Sequence, residues 1–196
     1  MALGKQAKTL SKGQIDALLN YIGKSRNPIR NRTIVLLSVR AGLRAKEIAC
    51  LTWGMVTDSD SRIGTAIHLQ DRASKGRSGR IIPLNAELRG ALTDLLNEGG
   101  DGIRPSAYLI TTERSDRTSA QAVVNQFGRW YCTLGFQGCS SHSGRRTFIT
   151  NAARKISTVG GSLRDIQILA GHSNLTTTQR YIEGSAEAQR KIVELV

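Results

Sequence analysis

The chain has 196 residues, of which 28 are Lys or Arg and 15 are Asp or Glu, giving a formal net charge of +13. This charge is atypical of a neutral metabolic enzyme and favours a polyanionic partner such as nucleic acid. With 39% apolar residues, the chain can bury one substantial core, which excludes a disordered basic tail. Residues 1–46 contain ten Lys or Arg and one acidic residue, so we expect the basic surface to be N-terminal.

Several other protein classes are excluded. The sequence has no apolar run of membrane-spanning length, no secretory signal and no lipidation motif, so we expect a cytoplasmic, nucleoid-associated protein without a membrane partner. Its cysteines, Cys50, Cys132 and Cys139, are odd in number, never spaced as Cys-x-x-Cys, and separate from the three histidines. A disulfide framework or a zinc site is therefore not expected, and neither is another metal or cofactor.

The N-terminal part predicts three helices. The first begins after a capping box, Ser11 to Gln14, and runs to about Tyr21. The second opens at Pro28, a residue suited to the first turn of a helix, and ends at Gly42. The third is a short helix over 44–51.

The middle of the chain predicts a small sheet. Three short β-prone runs, at 55–56, 63–69 and 80–84, are separated by polar turns, the second of which is the basic segment 74–79. We expect about three antiparallel strands with a basic hairpin.

Helical patterns then return over 86–97, 119–134, 142–156, 163–170, 175–183 and 185–194. The predicted fold class is therefore α+β: one mainly helical domain, at 11–184, with a small antiparallel sheet. A basic extension at 1–10 precedes it, and a tail helix at 185–196 that contacts a neighbouring protomer or folds back in cis follows it.

Four features could carry chemistry, and each has an ordinary alternative. Arg44, oriented by Glu47 one turn away, could bind a phosphate bidentately or form an exposed ion pair. Lys75 on the basic hairpin could act as a mobile acid or be simply solvated. The hairpin lacks the glycine and lysine pattern of a nucleotide-binding loop.

The other two features lie further along the chain. His142 and Arg145 are three residues apart at a helix start, which places both on one face, where an anion would meet the helix N-terminus. His172 and Tyr181 are nine residues apart across a helix, a turn and a second helix, although a single tyrosine is usually a core or surface residue.

Together and in this order, these segments resemble the catalytic domain of the tyrosine recombinase (phage integrase) family. The resemblance spans nearly the whole chain. The matching stretches are Ala-Gly-Leu-Arg-Ala-Lys-Glu-Ile at 41–48, the Lys75 hairpin, His-Ser-Gly-Arg-Arg-Thr-Phe at 142–148, Leu-Ala-Gly-His at 169–172, and Thr-Thr-Gln-Arg-Tyr at 177–181.

The resemblance implies a role for each matching residue. Tyr181 is expected to be the nucleophile that forms a covalent 3′-phosphotyrosyl link, without ATP. Arg44 and Arg145 are expected to bind the nonbridging oxygens of the scissile phosphate, with Glu47 orienting Arg44. These cations would stabilise the developing negative charge without a metal.

Three further residues complete the expected site. Lys75 would protonate the leaving 5′ oxygen, His142 would assist proton transfer, and His172 would donate a hydrogen bond to the phosphate. The surrounding basic residues are candidates for DNA contacts: Lys46, Arg72, Arg77, Arg80, Arg146 and Arg180. The implied function is site-specific recombination by a homotetramer on double-stranded DNA, monomeric when free, with DNA-bending accessory proteins as further partners.

The sequence departs from the family pattern in two places. Only about ten residues precede the first predicted helix, where the family usually has a separate helical domain, so the chain is expected to be a single-domain inversion recombinase or a catalytic fragment. Where many members have Leu-Arg-His, this chain has Gly144, Arg145 and Arg146, which keeps the required arginine.

Two alternative functions remain open on the sequence. A type IB topoisomerase would use similar chemistry but would relax DNA without recombining it. A noncatalytic DNA-binding regulator could use residues 162–182 as a helix-turn-helix with Gly171 in the turn, and it would need neither Lys75 nor Tyr181.

Overall fold

The computed structural model describes residues 6–74, 79–100, 102–181 and 193–194. In these ranges the protein has eight α-helices and one two-stranded sheet, so the predicted mainly helical α+β class is confirmed. The helices are α1 (Lys12–Gly23), α2 (Pro28–Ala41), α3 (Ala45–Cys50), α4 (Ala86–Gly99), α5 (Ala120–Thr133), α6 (Ser143–Lys155), α7 (Leu163–Ala170) and α8 (Leu175–Gln179). The strands are β1 (Ala66–Leu69) and β2 (Arg80–Pro83).

Local sequence signals position most of the helix ends. The side chain of Ser11 accepts a hydrogen bond from the Gln14 N–H and the Gln14 side chain bonds back, which forms the predicted capping box of α1. Pro28 occupies the first turn of α2. Ser119 caps α5 in the same way as Ser11 caps α1, by accepting from the Ala122 N–H.

The sheet has two strands instead of about three. β1 and β2 are antiparallel, with Ile67 opposite Ile82. The predicted strand at 55–56 is wrong: Trp53–Met55 is a short 3₁₀ helix in which the N–H groups of Met55 and Val56 donate to nearby carbonyls. These local bonds use the donors that a strand ladder would need, and both side chains are buried rather than alternating.

At the two ends of the chain, part of the N-terminal extension packs on the fold, and most of the predicted tail lies outside the described residues. The last described helix, α8, ends at Gln179, and the predicted tail helix at 185–194 lies outside the described residues except for 193–194. In the predicted N-terminal extension, Leu10 is buried and its N–H donates to Thr147 Oγ1 at 2.7 Å. This part of the extension therefore packs on α6.

The core is built around α2. Its residues Ile34, Val35, Leu36 and Leu37 are consecutive and all buried, because α2 packs against α1, α4 and α6 on different sides. A second, smaller apolar cluster joins Ile149 on α6 to Ile166 and Ala170 on α7, with Tyr181 packed against it. None of the helices in the described ranges has both the length and the apolar character needed to span a bilayer.

The α2–α6 contact depends on the absence of a side chain at Gly144. A Cβ atom there would collide with Ser38 Oγ and would lie 2.9 Å from Ser38 Cβ and 3.1 Å from Val39 Cγ1. Gly144 therefore allows the first turn of α6, which contains Arg145, to approach α2 closely.

We predict that Gly144→Ala lowers the free energy of unfolding by about 1–3 kcal/mol, because two packed helices must separate. Urea unfolding measures this change. Gly90→Ala is the matched control: a Cβ atom at Gly90 meets nothing within 4 Å, so helix propensity should make it stabilising by about 0.5–1 kcal/mol. A Gly144→Ala variant as stable as the wild type would contradict the packing argument.

Candidate active site

Arg44 and Glu47 form the pair that the sequence predicts. Arg44 is the N-cap residue of α3, and its backbone N–H donates to Glu47 Oε2 at 2.8 Å. Its Nη1 lies 2.8 Å from Glu47 Oε1. The carboxylate is fully buried, whereas 25% of the Arg44 side chain remains exposed. Glu47 thus holds the arginine in place while leaving part of its guanidinium accessible.

Arg80 is buried beside the same carboxylate. Its Nη1 and Nη2 donate to the two oxygens of Glu47 at 3.0 and 3.1 Å, and its Nε donates to the Leu169 carbonyl at 2.8 Å. We expected Arg80 among the DNA contacts, but only 3% of its side chain is exposed. This placement connects β2, α3 and the end of α7, and it does not suit a direct DNA contact.

The ionisation of Glu47 reflects these partners. Burial alone raises the pKa of this carboxyl, but the hydrogen bonds and charges of Arg80 and Arg44 outweigh burial and hold the pKa below its usual value. Glu47 is therefore a carboxylate at neutral pH.

Arg145 is fixed by the ends of two helices. It lies in the first turn of α6 and is buried, with Nη1 donating to the Gly42 carbonyl at 2.6 Å and Nη2 to the Ala170 carbonyl at 2.5 Å. Carbonyl groups at helix C-termini carry partial negative charge and favour a cation. Burial and the nearby charge of Arg44 lower the pKa of Arg145 to about 10, so it stays protonated at neutral pH.

His172 lies two residues after the end of α7 and is also buried. Gly171 ends α7 with φ +60°, a left-handed conformation that a side chain disfavours, and turns the chain back. Gln167 then holds the histidine backbone, because its Nε2 donates to the His172 carbonyl at 2.9 Å. The imidazole Nδ1 lies 2.9 Å from Thr178 Oγ1.

Charge and burial keep this histidine neutral. Burial, followed by the charges of Arg145, Arg44 and Arg80, lowers the pKa of His172 to about 4. An imidazole with this pKa is uncharged at pH 7, where it offers one N–H donor and one nitrogen acceptor.

Tyr181 lies next to His172. The two rings stack with their centroids 5.5 Å apart and 22° between their planes, and the Tyr181 carbonyl accepts a hydrogen bond from Thr150 on α6 at 3.3 Å. Tyr181 lines a cleft of about 400 Å³ together with His142, Arg145 and other residues. The structure therefore brings the predicted nucleophile beside three of the predicted cationic or proton-bearing residues.

The remaining predicted residues lie around this cleft or outside the described ranges. His142 is exposed at the start of α6, and Arg146 and Arg180 line the cleft, with Arg146 Nη1 donating to the Ala7 carbonyl at 3.1 Å. Lys46 and Arg72 are exposed. Lys75 and Arg77 lie outside the described residues.

A larger cavity of about 580 Å³ lies elsewhere, between the start of α2 and the end of α4. It contains none of the predicted site residues. No group of three His, Cys, Asp or Glu side chains in the described part of the chain could hold a metal ion.

Sequence reasoning missed the positions of Arg80, Thr178 and Gln167. For Arg80 a signal was present. Alternate residues of a strand share a face, and Arg80 therefore lies on the same buried face of β2 as Ile82. No local pattern marks Thr178 or Gln167, because their contacts depend on how α7 and α8 meet.

Comparison with known proteins identifies the family. The model of the phage integrase family matches residues 8–188. The chain belongs to the phage integrase family. A relative, the tyrosine recombinase XerA of Thermococcus kodakarensis, is 32% identical over 190 residues, which are 95% of this chain and 62% of the relative. The chain thus spans about three fifths of that relative's length.

Solved structures agree with this phage integrase fold. The crystal structure of a XerA recombinase has a TM-score of 0.73 at 25% identity and covers 95% of this chain and 64% of that one. The structure of the Tn1549 transposon integrase in complex with a circular intermediate DNA has a TM-score of 0.72 at 22% identity. The match covers 99% of this chain and 67% of the integrase chain.

We predict that Arg80→Gln destabilises the protein by about 3 kcal/mol, because Glu47 loses a buried partner and the Leu169 carbonyl loses its donor. Arg40→Gln is the matched control, since the Arg40–Glu87 pair has side chains 35% and 31% exposed and should contribute at most about 1 kcal/mol. Chemical denaturation compares the two. Equal effects would show that burial of the Arg80 pair is unimportant.

We also predict that His172 remains neutral down to about pH 4, which an NMR titration of its ring would show. Because this pKa lies below the ordinary value of 6.5, protonation favours the unfolded chain, and stability falls as the pH drops from 6.5 towards 4. His172→Gln should reduce this loss, whereas His142→Gln, at an exposed position, serves as the control. A His172 pKa near 6.5 would contradict the prediction.

Proposed function

We propose that this phage integrase family member is the catalytic part of a site-specific DNA recombinase. One observation carries the proposal: Tyr181 stacks on His172 and lines a cleft together with Arg145, a buried arginine close enough to Arg44 for their charges to interact. A nucleophile beside fixed cations is suited to attack a phosphodiester. The names of the relatives, tyrosine recombinases and a transposon integrase bound to DNA, support the same substrate class.

The proposed reaction is a transfer of the phosphoryl group. The Tyr181 oxygen attacks phosphorus and loses its proton, the bond from phosphorus to the 5′ oxygen breaks, and a 3′-phosphotyrosyl link forms. A 5′ hydroxyl from another strand then reverses these steps. Because the phosphotyrosyl link conserves the free energy of the broken phosphodiester bond, rejoining needs no ATP.

Each side chain has a role in this proposal. Arg44 and Arg145 bind the nonbridging oxygens, so that no metal ion is required to stabilise their charge. His172, as a neutral imidazole, donates a hydrogen bond to the phosphate. Lys75 protonates the leaving oxygen and His142 assists proton transfer.

The proposed partners follow from this chemistry. Double-stranded DNA is the substrate, and the exposed cations Lys46, Arg72 and Arg180 are suited to contact its phosphates. Exchange between two duplexes requires four active sites, so we propose a tetramer on DNA, with DNA-bending proteins as accessories. Binding to chromosomal DNA would place the protein at the nucleoid.

We predict that the wild-type protein, incubated with nicked DNA fragments from its source genome and then denatured, retains covalently attached DNA, whereas Tyr181→Phe retains none. The phenylalanine variant keeps the ring that stacks on His172 but lacks the attacking oxygen. Tyr21→Phe, which alters a 37% exposed tyrosine on α1, is the control and should behave as the wild type.

The attached DNA also separates the alternatives. A shared sequence in the adducts supports a site-specific recombinase, and adducts without one favour a topoisomerase, which relaxation of supercoiled plasmid would reveal. Adducts that persist in Tyr181→Phe would overturn the assignment of the nucleophile. Salt-sensitive DNA binding without any adduct would favour the noncatalytic regulator.

A further inference from the structure

Thr178 is a fully buried polar residue to which the proposed reaction assigns no role. It lies on α8 with no exposed surface, and its Oγ1 is 2.9 Å from Nδ1 of His172. His172 is itself only 8% exposed. The hydroxyl and the ring nitrogen therefore satisfy each other away from bulk solvent, where an unmade hydrogen bond is costly.

The direction of this hydrogen bond follows from the hydroxyl proton. Other threonines in this chain donate that proton to the carbonyl four residues earlier, as Thr33 does to Ile29 and Thr147 to Ser143. For Thr178 the described part of the chain provides one hydrogen-bond partner for the hydroxyl, Nδ1 of His172. A buried hydroxyl must place its proton on an acceptor, so Thr178 donates and Nδ1 accepts.

A neutral imidazole that accepts at Nδ1 has its proton at Nε2. The charged and titratable groups around the ring are Arg145, Arg44, Arg80, Glu47 and Tyr181, and the three arginines disfavour a second proton by charge repulsion. Within the described ranges Nε2 has no protein hydrogen-bond partner. The Nε2–H group thus remains available to a bound oxyanion.

We propose that Thr178 is a positioning residue that fixes the Nε2–H tautomer of His172, so that this ring acts as a hydrogen-bond donor to the phosphate. The donor role of His172 rests on the proposed function, whereas the tautomer does not. The same residue links the histidine to the nucleophile, because the Tyr181 N–H donates to the Thr178 carbonyl at 3.0 Å. One residue therefore sets both the ring orientation and the neighbouring turn.

The first test is the tautomer itself, measured on the wild-type protein without DNA. Long-range ¹H–¹⁵N correlation NMR distinguishes protonated from bare ring nitrogens, and a His172→Gln sample assigns the signals. We expect a proton on Nε2 and a hydrogen-bonded, bare Nδ1 at pH 7. A proton on Nδ1 would overturn the proposal. This outcome does not depend on whether the protein cleaves DNA.

The second test compares a substitution that removes the Thr178 hydroxyl with one that keeps it. Thr178→Val removes the hydroxyl, so the Nδ1 signal should shift as it loses its donor. Strand cleavage should slow by about tenfold, the effect of weakening one hydrogen bond to the transition state. Thr178→Ser keeps the hydroxyl and should restore both. DNA affinity should change little in either variant. A serine variant as slow as the valine variant, or an unchanged Nδ1 signal in Thr178→Val, would overturn the proposal.

A double variant shows whether Thr178 acts through His172. If it does, Thr178→Val should slow cleavage no further once His172→Gln is present, because the affected group is already absent. Independent, multiplicative losses would overturn the proposal. If the wild-type protein forms no covalent adduct at all, the proposed function fails, and the NMR result still decides the tautomer.

Discussion

The site depends on one buried carboxylate. Among the acidic side chains in the described part of the chain, Glu47 is the one that is completely buried. It lies between Arg44 and Arg80. Burying several like charges together is unfavourable unless an opposite charge and directed hydrogen bonds compensate. Both oxygens of Glu47 accept from Arg80, and both also accept from Arg44. Removing this carboxylate would leave guanidinium groups facing one another.

Backbone carbonyls supply the rest of the compensation. The carbonyls of Leu169 and Ala170, at the end of α7, accept from Arg80 and Arg145, and the carbonyl of Gly42, just after α2, accepts from Arg145. Helix termini leave such carbonyls without intrahelical partners. The arginines therefore complete the helix ends, and the helix ends hold the arginines, which explains how a strongly cationic site exists inside a stable fold.

The sequence allowed the helices, and the candidate site residues that the structure brings together, to be predicted better than the contacts between them. The cap residue Ser11 and the first-turn proline Pro28 influence only the backbone within a few residues of themselves. The starts of α1 and α2 could therefore be predicted from the sequence. The run at 55–56 has strand composition, but local turn hydrogen bonds and the burial of both side chains override it. The partners of Arg80 and the hydrogen bond between Thr178 and His172 arise from tertiary packing between segments, which a linear pattern does not encode.

The segment that contains the nucleophile is held mainly by this polar network. Its apolar support is the small cluster of Ile149, Ile166 and Ala170, apart from the main core around α2. Regions with few buried apolar contacts open at lower free energy than a main core. Burial and the charge of Arg44 lower the pKa of Arg145. An anion bound beside these two arginines would weaken their mutual repulsion and would stabilise Arg145, which contacts the end of α7. Under the proposed function, binding of a phosphate would therefore be energetically coupled to assembly of the His172–Tyr181 pair.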